Sequence, residues 1–122
     1  MKNVIITGAS SGIGMATARS LDTGAYRLLL AGRNKRKLSS LSKVLNCEHM
    51  IHCGDIRDYD NCVDMVKKCL DQWGTVEVLI NNAGLGHFNP LTEGSIDEWH
   101  NMVDVNIKGV LNCLHAALPS LR

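Results

Sequence analysis

Val4-Ile-Ile-Thr-Gly-Ala-Ser-Ser-Gly-Ile-Gly14 decides how the rest of this 122-residue chain is read. A β-branched run goes straight into glycines at 8, 12 and 14, and a helical pattern starts at once. Each glycine has a physical role. Gly8 allows a sharp exit from a strand, Gly12 lets backbone approach a ligand, and Gly14 lets a new helix pack tightly. The amides around Ser11 to Ile13 then point outward at a helix N-terminus, where a phosphate group is stabilised. Ser10 and Ser11 can add hydroxyl donors. The spacing Gly8-x-x-x-Gly12-x-Gly14 departs from Gly-x-Gly-x-x-Gly, and no Lys-Ser or Lys-Thr follows it as in a P-loop. The expectation is a turn that binds the pyrophosphate of a dinucleotide.

Outward from this turn, strands and helices alternate. Lys2 to Thr7 is the first strand. Gly12 to Leu21 is a helix, with Ile13, Ala16, Thr17 and Leu21 at helical spacing. Tyr26 to Ala31 is a second strand, apolar throughout, as suits a parallel sheet covered on both faces. Lys35 to Leu45 is a helix with Leu38, Leu41 and Leu45 on one side. His49 to Cys53 is a third strand. Asp58 to Trp73 is a third helix, turning Cys62, Val63, Val66, Cys69 and Leu70 inward. Val76 to Asn81 is a fourth strand. Ser95 to Leu118 is one long helix, bent or interrupted near Asn106. Such alternation predicts an α/β fold, an open, doubly wound parallel sheet with right-handed crossovers. No Pro-, Ser- or Gly-rich linker divides it, so residues 1–122 read as one domain. The pattern stops after the long helix, where a further strand is expected to cover the fourth one. We therefore expect a domain that is incomplete at its C-terminal end.

Composition narrows the function. Thirteen Lys and Arg balance twelve Asp and Glu, which provides no global basic field for nucleic acid or an anionic membrane. No apolar stretch is long enough to span a bilayer, and no secretory signal precedes the first strand. Cytoplasm is the default expectation. Five cysteines at 47, 53, 62, 69 and 113 form no Cys-x-x-Cys pair, which argues against structural zinc and a disulfide framework. His49, His52, His100 and His115 lack metal spacing. His87, beside Phe88 in a loop, is a weak candidate for facing a substrate.

Thr7-Gly-Ala-Ser-Ser-Gly-Ile-Gly14, Gly54-Asp-Ile56, Asn81-Asn-Ala-Gly84 and Val105-Asn-Ile-Lys-Gly109 occur in order across nearly the whole chain. Together they resemble the N-terminal, cofactor-binding half of the classical short-chain dehydrogenase/reductase family. The resemblance implies a Rossmann-like fold, truncated here after the long helix that follows the fourth strand. It also implies hydride transfer between a nicotinamide and a carbonyl or alcohol substrate. It assigns cofactor contacts to Gly8, Ser10, Ser11, Gly12, Ile13 and Gly14 in the turn. Asp55 would accept from the adenine amino group, with Ile56 lining the ring. Asn82, Ala83 and Gly84 would lie along the ribose and pyrophosphate, while Asn81 would bond to neighbouring backbone. Asn106 would be the asparagine of a catalytic tetrad, its backbone carbonyl holding a water at a local helix distortion. A homo-oligomer, dimer or tetramer, is implied for the complete protein, with Ile107, Val110, Leu111 and Leu114 available to an interface or to the core.

The end of the second strand bears on which nicotinamide cofactor is used. NAD-selective sites place an acidic side chain there, whereas this chain has Ala31-Gly32-Arg33-Asn34. Arg33 offers a planar guanidinium to a 2′-phosphate and an adenine face, and Lys35, Arg36 and Lys37 add positive potential. NADP(H) is the preferred expectation and NAD(H) the alternative.

The acid–base residues implied by the family do not occur here. The tyrosines are Tyr26 and Tyr59, with Leu30 and Val63 where a lysine four residues later would stand. The chain reads as the N-terminal part of an oxidoreductase, inactive by itself. The competing readings are a naturally short dinucleotide-binding protein of regulation or assembly, and a partner that binds no cofactor.

Overall fold

Alternation in the first two strands decides the layering. In β1 (Lys2–Ile6), Ile5 faces one side of the sheet while Val4 and Ile6 face the other. In β2 (Tyr26–Gly32), Leu29 and Ala31 join Ile5, and Leu28 and Leu30 join Val4 and Ile6. Both faces are apolar, so both require a helical cover. In the computed structural model, which describes residues 1–85 and 93–121, each face has one. Helices α1 (Gly12–Ser20) and α2 (Lys35–Val44) cover the Val4 face through Ala18, Leu38 and Leu41. Helix α3 (Tyr59–Trp73) covers the Ile5 face through Cys62, Met65, Val66 and Cys69. With β3 (His49–Cys53) and β4 (Val78–Ile80), the four strands are parallel in the order β3-β2-β1-β4. This is the expected doubly wound, Rossmann-like α/β sheet.

Local chemistry sets the element ends. Asn34 caps α2 by accepting from Lys37 N (3.1 Å), and Asp58 caps α3 by accepting from Asp60 N (3.0 Å). Gly74, at φ 85°, ends α3 in the left-handed region. The fourth strand is shorter than expected, because its ladder to β1 spans only Val78 to Ile80. Val76 still reaches the core and is fully buried.

Packing refines the spacing on α1 and corrects it on α3. Ile13 is 74% exposed, and α1 buries Gly14 and Ala18. The helix begins at residue 12, so its first turn looks out over the strand ends rather than onto the sheet. On α3, Val63 is exposed, and Met65 takes the buried place.

The long helix is interrupted where Asn106 lies. Helix α4 (Ile96–Val103) passes into a π-helical segment, Asp104–Gly109, and then into α5 (Val110–Ala117). Ser95 caps α4 by accepting from Glu98 N (3.1 Å). Cys113 and Ala117 of α5 complete the core against α3, with the Cys62 and Cys113 sulfurs 3.7 Å apart. Among the described residues no helix is long and apolar enough to cross a membrane. His87 and Phe88 lie outside the described residues.

Candidate functional site

All four strands run in the same direction, so the turns after them meet at one edge. There they enclose a crevice of about 550 Å³ beside the point where the chain leaves β1 for α1. In an open parallel sheet, the crevice where the strand order reverses is the place for a ligand.

The floor is built from the opening turn. Gly8 has φ 62°, and a Cβ there would lie 2.7 Å from Ala83 Cα, so this position needs glycine on both counts. A Cβ on Gly14 would sit 2.1 Å from Gly8 O and 2.7 Å from Asn82 Nδ2. Gly14 therefore packs against the Gly8 turn and Asn82, beneath the crevice. Gly12 is different: a Cβ there would meet nothing within 4 Å. Its free side faces the crevice, as a backbone needs to do to receive a phosphate.

The two serines divide the work. Ser11 is the N-cap of α1. Its hydroxyl donates to Gly8 O (2.7 Å) and accepts from Gly14 N (3.2 Å), and its own N–H donates to Gly8 O (3.0 Å). The expectation of a free Ser11 donor is therefore corrected, since its proton goes to Gly8 O. Ser10 lines the crevice, and among the described residues its hydroxyl has no hydrogen-bond partner. The first-turn amides of Gly12 and Ile13 lack intrahelical acceptors, as at any helix start.

One wall comes from the loop after β4. Asn82 Nδ2 donates to Gly8 O (3.1 Å) and to Ser11 Oγ (3.2 Å), tying this loop to the opening turn. Thr7, buried, accepts at Oγ1 from Asn82 N and Ala83 N, each at 3.1 Å. The stitching expected of Asn81 is thus done by Asn82, and Asn81 is exposed. Asn106 closes this wall from the π-helical segment. Its Oδ1 accepts from Leu85 N and its Nδ2 donates to Leu85 O, both at 2.7 Å. Its neighbour Val105, and not Asn106 itself, lines the crevice.

The other wall carries the charge. Arg33 lines the crevice at the end of β2 and is in no ion pair among the described residues. Asp55 and Ile56 follow β3. Hydrogen bonds from the Arg57 side chain hold the Asp55 carboxyl below the usual carboxylate range, with a smaller push of the same sign from Arg33. Ile56 packs against Gly109 of the π-helical segment. Of the residues singled out in the sequence, Gly8, Ser10 to Ile13, Arg33, Asp55, Ile56 and Asn82 to Gly84 all border the crevice. Sequence reading missed Thr7, Arg57, Asn61 and Asn112. Asn61 Nδ2 donates to Asp55 O (3.0 Å), and Asn112 Nδ2 donates to Ile56 O (2.9 Å). A threonine ending an apolar strand was a usable signal for Thr7. The two asparagines had none, because their partners lie on a distant turn.

The short-chain dehydrogenase family profile matches residues 2–122, and the chain belongs to that family. An uncharacterized oxidoreductase of Staphylococcus epidermidis is 37% identical over 120 residues, which is 98% of this chain and 52% of the relative. Sulfoacetaldehyde reductase 2 of Chromohalobacter salexigens is 36% identical over 121 residues, 97% of this chain and 48% of that one. Among solved structures, an alcohol dehydrogenase from the archaeon Thermococcus sibiricus, complexed with 5-hydroxy-NADP, superposes with a TM-score of 0.90 at 40% identity. That match covers 99% of this chain and 53% of the archaeal one. The chain spans about half the length of the curated relatives it matches, and the part it matches is the family's N-terminal, cofactor-binding portion. The family links it to NAD(P)-dependent oxidoreductases.

Proposed function

We propose that residues 1–122 form a partial dinucleotide-binding domain, one wall of an NADP(H)-dependent oxidoreductase acting on a small carbonyl or alcohol substrate. The observation that carries this reading is the convergence of four separate strand ends on one crevice at the start of α1. The residues fit the group. Gly12 leaves open space where a side chain would stand, and Ser10 and the first amides of α1 are available to a phosphate. Gly8 and Gly14 hold the turn in shape beneath it, and Ser11 caps the helix. Asp55 and Ile56 take the adenine, and Asn82, Ala83 and Gly84 run along the ribose and pyrophosphate. When bound, the nicotinamide supplies the carbon that accepts or donates hydride.

NADP(H) is favoured by what stands at the end of β2. Gly32 offers no carboxylate to repel a 2′-phosphate, and a Cβ there would already lie 3.0 Å from Ser10 Oγ. Arg33 is an uncommitted guanidinium beside the same space. Asn106 acts as a positioning residue, fixing Leu85 from the π-helical segment, and by the family's pattern its backbone carbonyl would hold a water. Proton transfer falls to serine, tyrosine and lysine residues that these 122 positions do not supply, so this chain alone binds without reducing a carbonyl. Trp99, Val103, Ile107, Leu111, Leu114 and Leu118 form an exposed apolar stripe along the long helical stretch. A homo-oligomer of the complete protein would use that stripe.

Titration calorimetry with NADPH and NADH tests the reading. Binding of both with NADPH tighter is the expected result. Tighter NADH overturns the NADP assignment, and no binding of either overturns the dinucleotide site.

A further inference from the structure

Two thiols meet directly behind the Ile56 wall of the crevice. Cys62 is on α3 and Cys113 on α5, 51 residues apart in the chain, and both are fully buried. Their sulfurs are 3.7 Å apart, and both are free thiols.

Their hydrogen bonds assign them different roles. The Cys62 thiol donates to Ile56 O (3.4 Å). Its one proton is engaged there, so the contact between the sulfurs is made by the Cys113 proton. That donated bond holds Cys62 below the usual thiol range, and the same bond, with burial, pushes Cys113 above it. Cys62 therefore ionises first, and the thiolate is the reactive form.

The pair is also coupled to the crevice. Ile56 lines it, and the Ile56 carbonyl has two side-chain donors, Cys62 and Asn112 Nδ2 (2.9 Å). Asn112 precedes Cys113 on α5 and also donates to Arg57 O (3.3 Å). A disulfide requires sulfurs about 2.05 Å apart, and it has no proton to give. Forming one removes the Cys62 hydrogen bond to Ile56 O and draws α3 and α5 together beside Asn112.

Building on the dinucleotide reading above, we propose that Cys62 and Cys113 form a redox-sensitive switch: a small neutral peroxide joins them in a disulfide between α3 and α5, which loosens the Ile56 turn and weakens dinucleotide binding. The Cys62 thiolate attacks one peroxide oxygen and the O–O bond breaks. A sulfenic acid forms, and the departing hydroxide takes up the thiol proton as water. The Cys113 sulfur then attacks the sulfenic sulfur, the S–O bond breaks, and a second water leaves with the Cys113 proton. Two thiols are oxidised while one peroxide is reduced to two waters. Peroxide reaches the pair by local opening, which costs less than global unfolding.

The test treats the full, reduced chain with hydrogen peroxide, maps disulfides by mass analysis of unreduced peptides, and measures NADPH affinity before and after. A Cys62–Cys113 link is expected, with NADPH bound about two- to tenfold more weakly, the contribution of one net hydrogen bond. Dithiothreitol should restore the affinity. Cys113→Ser should form no such link and keep its affinity after peroxide. If that variant does not fold, Cys113→Ala replaces it with the same expectation. Absence of a link between these two thiols overturns the proposal. So does a link that leaves affinity unchanged, or a Cys113 variant that weakens on oxidation as much as wild type. A reduced chain that binds no NADPH removes the dinucleotide reading, while the mapped link by itself decides whether the thiol pair is redox-active.

Discussion

The two ends of the same sheet are built on opposite plans. At the end where strands begin, polar groups satisfy one another. Buried Asn3 donates its backbone N–H to Glu77 Oε2 (2.7 Å) and its amide to Thr75 O (3.1 Å) and Thr75 Oγ1 (2.9 Å). Asp22 likewise accepts from Asn46 N (3.0 Å) and Cys47 N (2.7 Å). At the end where strands finish, a helix start faces open space, and the Ser10 hydroxyl and the Arg33 guanidinium stand uncommitted among the described residues. Burial makes a polar group costly unless it is paired, and the closed end pairs most of its own, buried Trp73 Nε1 being an exception among the described residues. The open end keeps its donors in contact with solvent until a ligand replaces it. Substitutions at the two ends should therefore fail in different ways.

The largest effect is expected at the open end's foundation. Gly14→Ala drives a Cβ into Gly8 O and Asn82 Nδ2, and both turns are displaced. NADPH affinity should drop at least about 100-fold, equivalent to about 2.7 kcal/mol, as measured by calorimetry. Near-normal affinity would mean that the turn is not the phosphate seat. Next comes Arg33→Asp, which should weaken NADPH binding about 10- to 100-fold, the range for hydrogen bonds to charged groups. NADH should be affected far less, so the preference reverses. Equal losses for both cofactors would show that Arg33 does not read the 2′-phosphate.

The closed end should respond in stability alone. Asn3→Leu removes the centre of a buried network and should cost about 1–3 kcal/mol in urea unfolding, with the NADPH-to-NADH affinity ratio unchanged. A changed ratio would break the separation between the ends. The smallest effect concerns pH. Hydrogen bonds from Thr75 and from the Asn3 backbone lower the Glu77 carboxyl below its ordinary value. A lowered folded-state pKa stabilises above the unfolded value, near 4.3, and that contribution is lost as pH falls through the folded value. Glu77→Gln should therefore lose less stability than wild type as pH falls from about 5 to below the folded Glu77 value. Parallel acid curves for the two proteins would remove Glu77 from the account.

Much of this arrangement was legible in the chain itself, and the exceptions share a cause. Leu38, Leu41 and Leu45 were expected on one face of α2, and all three are buried. The interruption at Asn106 was expected and proved to be a π-helical segment. Val63 was placed inward by spacing and is exposed, because helical period specifies a stripe but not which neighbour the stripe meets. Ser11 was expected to donate to a ligand and instead donates to Gly8 O while it caps α1, since a hydroxyl carries one proton.

The sequence by itself determined the alternation of strand and helix, the glycine turn, the order of its four motifs and hence the family. Those features depend on residue type and local spacing, which the chain carries directly. Only the tertiary structure decided that Asn82 rather than Asn81 stitches the two loops, that Thr7 receives their amides, and that Arg57 joins Asp55 to α4. Such contacts bridge residues far apart along the chain. They come into being only when parallel strands bring their ends to one edge, a geometry that no local pattern encodes.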